Sequence, residues 1–193
     1  MKNKAIAIMT FSVLILASCN QPKEKKVEVV EEANSITLNL AERGEYLVNI
    51  IGCADCHTPK KMSEMGPVPD MDRYMMGFDS SGALPPIPEN VPLGPWALFA
   101  GDLTAAVGSW GTTYAGNLTP HETGIGSWTL KQFKKAIKGG KYKGLDDSRP
   151  IMPPMPVEAY RSMKDEDVEA IFAYLKSLKP IENVVPAYTP PTS

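Results

Sequence analysis

The sequence predicts an all-α fold. Three observations carry that expectation: apolar residues recur at 3.6-residue spacing in three segments, capping or acidic residues open the later two, and Gly or Pro closes them. The first segment runs from about Leu40 to Gly52, with Leu40, Gly44, Leu47, Val48 and Ile51 forming one apolar or small stripe. The second runs from Trp128 to Lys138, with Ser127 or Thr129 as N-cap, Leu130, Phe133 and Ile137 on one face, and Gly139-Gly140 as the stop. The third runs from about Asp165 to Leu178. It has three acids in its first turn, Val168, Ile171, Phe172, Leu175 and Leu178 inward, Lys176 and Lys179 near its end, and Pro180 after it. Each stripe reads as core. No internal repeat is visible, so one globular domain of about 145 residues, spanning 40–183, is expected.

The chemistry is concentrated in Cys53-Ala54-Asp55-Cys56-His57, because Cys-x-x-Cys-His is the attachment signature of a c-type haem. Two thiols three positions apart on a helical turn can reach the two vinyl groups of one porphyrin, and the following His57 falls beneath the iron as axial ligand. Three other readings compete. A zinc site would need four ligands, yet the only other Cys is Cys19 and the only other His is His121. A thioredoxin-like pair would want a βαβ pattern around it, and a disulfide across so short a loop would leave His57 without a role. One copy of the motif implies one haem c, covalent through Cys53 and Cys56.

The N-terminus accounts for the third cysteine. Lys2 and Lys4 precede an apolar run, Ala5 to Ala17, too short to span a bilayer as a stable helix and suited to a signal peptide. It ends in Leu16-Ala17-Ser18-Cys19, which looks like a bacterial lipobox. Residues 1–18 are then a cleaved lipoprotein signal, and Cys19 is the lipidated first residue. Acyl chains anchor firmly, at about 0.8 kcal/mol per buried CH₂. Residues 19–39 carry Lys23, Glu24, Lys25, Lys26, Glu28, Glu31 and Glu32 with few large apolar residues, and read as a solvated tether. An exported protein, lipid-anchored to a bacterial membrane and facing the periplasm or cell exterior, is expected. The formal net charge is −2, and losing two of the 20 basic residues with the signal, against 22 acidic ones, makes the chain more acidic still. That composition excludes a nucleic-acid partner. Residues 184–193 carry Pro186, Pro190 and Pro191 and read as an irregular Pro-rich tail.

Further motifs narrow the reading. Gly116-Asn117-Leu118-Thr119-Pro120, Thr123-Gly124-Ile125-Gly126-Ser127-Trp128-Thr129, Met155-Pro156, Tyr160, and Asp165-Glu166-Asp167-Val168 through Tyr174-Leu175 follow the haem motif. Together they resemble class I cytochromes c, and most closely the cytochrome subunits and domains that accept electrons from membrane-bound alcohol and sugar-acid dehydrogenases. The match covers Leu40 to His57 and Gly116 to Leu178. The resemblance implies a class I cytochrome c fold in which residues 58–115 form a long, loop-rich insertion, rich in Pro, Gly and Met. Trp96, Phe99 and Trp110 suggest that this insertion folds, either as a docking surface or as a cover over the haem.

The resemblance also implies a Met thioether as sixth iron ligand, in a Met-Pro before the last helix. Met152-Pro153 and Met155-Pro156 both offer one; the spacing of Met155 to Tyr160 favours Met155, with Met152 as the alternative. His121 is read as a surface turn residue rather than a ligand. Gly66-Pro67 resembles the Gly-Pro whose carbonyl receives the N–H of the proximal His, so Pro67 is expected in that role, with Pro69 in reserve. Asn117, Trp110 and Trp128 could donate side-chain N–H groups to haem propionates, or be simple packing and turn residues. The function so implied is single-electron transfer between redox proteins, a dehydrogenase donor or an oxidase acceptor, without catalysis of its own. The rival is a haem enzyme or gas sensor with an open sixth position, or a fixed subunit of a dehydrogenase or oxidase complex.

Overall fold

Helix α1 (39–50) crosses helix α5 (Asp165–Ser177), and Gly44 is where the two backbones meet. A Cβ placed on Gly44 would lie 2.0 Å from the Ala170 carbonyl oxygen and 2.7 Å from the Tyr174 Cβ, so the close approach admits only hydrogen at this position. Arg43 adds an ion pair to Asp167 beside the crossing. The computed structural model describes residues 39–84, 86 and 94–191, so the expected signal, the Cys19 anchor and the tether up to residue 38 lie outside the described residues.

The helices expected from periodicity are present with shifted ends. Helix α1 stops at residue 50, and a turn through Gly52, in the left-handed region at φ 72°, starts a separate short helix, α2 (Cys53–His57). Helix α3 (Leu130–Ile137) is capped by Thr129, whose hydroxyl accepts from the Gln132 amide while the Gln132 side chain accepts from the Thr129 amide. Short helix α4 (Val157–Tyr160) precedes α5. Val48, Met75, Ile125, Phe133, Ile137, Val168, Ile171 and Leu175 form one buried cluster, and Cys53, Leu118, Trp128 and Tyr160 pack against it. The core is thus helix on helix, with the haem motif on its margin.

The all-α expectation does not hold, because residues 58–115 supply two small antiparallel sheets. Strands β1 (Lys60–Ser63) and β2 (Gly66–Pro69) form a hairpin, with Lys60 opposite Pro69 and Ser63 opposite Gly66. Strands β3 (Leu98–Phe99), β4 (Ala105–Gly108) and β5 (Gly111–Tyr114) form the second sheet in that order. Gly108 and Gly111 flank a two-residue turn, and Val107, Thr112 and Thr113 supply the β-branched residues that suit a pleated surface. The insertion is therefore not loop-rich cover alone.

The described part of the tail has no regular secondary structure but is tied down at one point. Thr189 exchanges both backbone hydrogen bonds with Thr112, at 2.8 and 3.0 Å, which lays the C-terminal segment along β5. The Tyr188 hydroxyl donates to the Trp110 carbonyl at 2.5 Å. Arg149 lies 3.9 Å from the centre of the Tyr142 ring and 4.9 Å from that of Tyr188.

The crossing at Gly44 sets a testable requirement. Gly44→Ala gains helix propensity but drives a methyl group into the Ala170 carbonyl, and overpacking of this kind costs about 1–3 kcal/mol. The urea midpoint of unfolding should fall with an unchanged slope; an unchanged midpoint would show that the helices separate freely.

Candidate haem site

Helix α2 places Cys53, Cys56 and His57 at i, i+3 and i+4, so all three side chains issue from one side of a single turn. None is fully exposed, and both thiols are free rather than joined in a disulfide. Burial pushes the Cys53 thiol up to about 11 and also raises Cys56, where nearby Lys60 opposes the rise. Both are therefore protonated at neutral pH. Among the described residues no three His, Cys, Asp or Glu side chains converge as a metal-binding set, which argues against a zinc chelate built on these cysteines.

His57 Nδ1 lies 2.7 Å from the Gly116 carbonyl oxygen. A carbonyl only accepts, so Nδ1 carries the hydrogen and the lone pair is left on Nε2. Burial, the larger effect, holds the imidazole pKa below its ordinary value and outweighs the opposing Gly116 hydrogen bond. A neutral ring with a fixed tautomer is what iron ligation requires. The residues present fit a c-type haem: two protonated thiols for thioether bonds, and one imidazole presented through Nε2. When bound, that group supplies a one-electron ferric/ferrous couple.

The carbonyl role expected of Pro67 thus falls to Gly116. Pro67 stands exposed in the β1–β2 hairpin, opposite Met62, while Gly116 lies two residues beyond the end of β5. Asn117 does not have an N–H to spare for a propionate either. Its Nδ2 donates to Ile181 O at 2.9 Å and Thr123 Oγ1 at 3.2 Å, with Asn183 O at 3.4 Å, and its Oδ1 accepts from the Thr119 amide and hydroxyl at 2.9 and 2.8 Å. It fastens the segment after Gly116 to the chain's C-terminal stretch. The Trp110 indole N–H is sealed from solvent and has no hydrogen-bond partner among the described residues. Trp128 packs on the same cluster as Cys53. His121 lies in a turn, its Nδ1 accepting from the Thr123 amide at 3.2 Å.

Met152 and Met155 are both half-buried in the loop before α4. That loop is fixed at two points: Ile151 N donates to Gly140 O at 2.7 Å, and the Thr113 hydroxyl of β5 donates to Pro153 O at 2.8 Å. Helix α4 then brings Tyr160 beside the haem motif, where burial first, and then the Cys53 and Cys56 charges, push the phenol up to about 12. Strand β5 thus holds the Met-Pro loop through Thr113, and Gly116, two residues beyond its end, accepts from His57.

The reassignment of Asn117 has a measurable consequence. Asn117→Ala leaves the Thr119 amide without its partner and the Ile181 carbonyl with only the Thr119 hydroxyl, at a cost of about 1–3 kcal/mol in urea unfolding. Covalent haem per folded chain, measured as pyridine haemochrome, should be unchanged; loss of haem at full stability would restore the propionate role.

No family model matches the chain. The cytochrome subunit of fructose dehydrogenase from Gluconobacter japonicus is 28% identical over 173 residues, 89% of this chain and 27% of the subunit. The cytochrome c subunit of gluconate 2-dehydrogenase from Pantoea cypripedii is 32% identical over 136 residues, 70% of this chain and 22% of the subunit. The cytochrome c subunit of a quinone-dependent alcohol dehydrogenase from Gluconobacter oxydans is 29% identical over 158 residues, 80% of this chain and 25% of the subunit. The chain thus matches about a quarter of the length of these curated relatives. With a Cys-x-x-Cys-His helix whose histidine is oriented by a backbone carbonyl, and similarity reaching across most of its length, the chain is a homologue of the cytochrome c subunits of fructose, gluconate and alcohol dehydrogenases.

Proposed function

We propose that this protein is a membrane-anchored monohaem cytochrome c that carries single electrons between redox proteins, a dehydrogenase being the donor. One observation carries the reading: His57 is a half-buried imidazole kept neutral by desolvation, its Nδ1–H held by the Gly116 carbonyl, on the same helical turn as two free thiols. Cys53 and Cys56 would hold the porphyrin through thioether bonds. Met155 would supply the iron with a soft sulfur donor beside His57, which would favour the ferrous state and leave no site for a substrate. The doubly fastened Met-Pro loop supports that assignment, because a loop tied at Gly140 and Thr113 can keep one thioether in place through both oxidation states. The relatives named as subunits of dehydrogenases support a dehydrogenase as partner. Acylated Cys19 holds the domain at a bacterial membrane, and residues 19–39 let it reach that partner.

Two measurements test the reading. Met155→Ala should convert the ferric spectrum from low-spin to high-spin and open the iron to carbon monoxide in the ferrous state, while Met152→Ala retains the native spectrum. Rapid carbon monoxide binding to the native protein would instead favour a haem enzyme or sensor. Labelled fatty acid should enter the wild-type chain and not Cys19→Ser; label that survives this substitution removes the anchor.

A further inference from the structure

The bond from His57 to Gly116 is held in place from a distance. Residues 75–78 are bonded to the backbone of both partner segments: Gly77 N donates to His57 O at 2.9 Å, Phe78 N to Ala115 O at 2.9 Å, and Leu118 N to Met75 O at 2.8 Å. Gly77, at φ 78°, lies so close to the Gly116 peptide that an added Cβ would be 2.6 Å from its carbonyl oxygen. The position of that oxygen is therefore set by the position of this loop.

One side chain fixes the loop. Asn183 is 4% exposed, and its Nδ2 donates to the Met76 and Phe78 carbonyls, each at 2.7 Å, the two that flank Gly77. Its Oδ1 accepts from the Ser80 hydroxyl at 2.8 Å and the Ser80 amide at 3.3 Å. Its backbone faces the other way, donating to Thr123 Oγ1 at 3.0 Å and accepting from Asn117 Nδ2 at 3.4 Å. Asn183 thus joins the loop pressed against Gly116 to the segment that continues from Gly116.

We propose that Asn183 is a positioning residue for the proximal ligand: by clamping residues 76–78 against Ala115 and Gly116, it sets the hydrogen bond to His57 Nδ1 and through it the potential of the iron. The inference rests on the reading of His57 as an axial ligand. A firmly held acceptor makes the imidazole the stronger donor and favours ferric iron, so loosening it shifts the balance toward ferrous.

The test uses the full haem-loaded chain. Asn183→Asp keeps the shape and loses both N–H donors; Asn183→Ala loses the side chain. Each should raise the ferrous-to-ferric ratio at fixed ambient potential by about tenfold, about 59 mV for one electron, and speed exchange of the His57 Nδ1–H at least tenfold. Ser80→Ala, which leaves both carbonyl contacts intact, should alter neither. Folded Asn183 variants with wild-type potential and exchange overturn the proposal and reduce Asn183 to a packing residue. Should both variants fail to fold, wild-type exchange decides: the His57 Nδ1–H and the Asn183 carboxamide must open in one event, and a ring proton that exchanges while Asn183 stays protected overturns the clamp. A wild-type chain without covalent haem would defeat the carrier reading instead, and the same exchange measurement on that chain would still judge the clamp.

Discussion

The hydrogen bond between His57 Nδ1 and the Gly116 carbonyl is the constraint around which the rest of the molecule is arranged. It selects the tautomer and aims Nε2, while desolvation, working against it, holds the ring neutral. Its donor comes from a turn of helix attached to the helical core, and its acceptor from the end of a strand. A helical core alone could present His57, but orienting it needs a second body of structure. The three-stranded sheet and the loop 75–78, both within residues 58–115, supply that body.

The two halves are not equally legible in the sequence. Helices α3 and α5 can be read almost to the residue, because their signals are local: Thr129 and Gln132 cap one, three acids start the other, and the apolar stripe is contained within each segment. Cys53, Cys56 and His57 are readable for the same reason, since a single helical turn sets their spacing. The strands leave little trace because they are short and built from Gly, Ala and Thr as much as from large apolar residues. Pairing such as Ala105 with Tyr114 also depends on chain closure that no local window contains.

The differences at the site share that origin. A Gly-Pro pair after the haem motif points to Pro67, yet a backbone carbonyl has no side-chain signature, and which one reaches Nδ1 depends on the fold. Asn117 suggests a propionate donor because its carboxamide is versatile; nothing in the spacing of Thr119, Thr123 and Ile181 reveals that they meet around it. Asn183 carries no signal at all. It stands just before the stretch whose composition announces a Pro-rich tail, and only the folded chain shows both its N–H groups engaged.

The pairing of Thr189 with Thr112 bears on how the protein can be handled. Bridged to β5 at this one residue, the C-terminal segment covers one margin of the three-stranded sheet at Thr112. An unpaired strand margin invites another chain to add to it. A purification tag or fusion joined close behind Thr189, or a truncation that removes it, would bare the outer edge of the strand that carries Thr113 and leads into Gly116. The cost would appear first as self-association, in a chain whose helices and haem motif are otherwise intact.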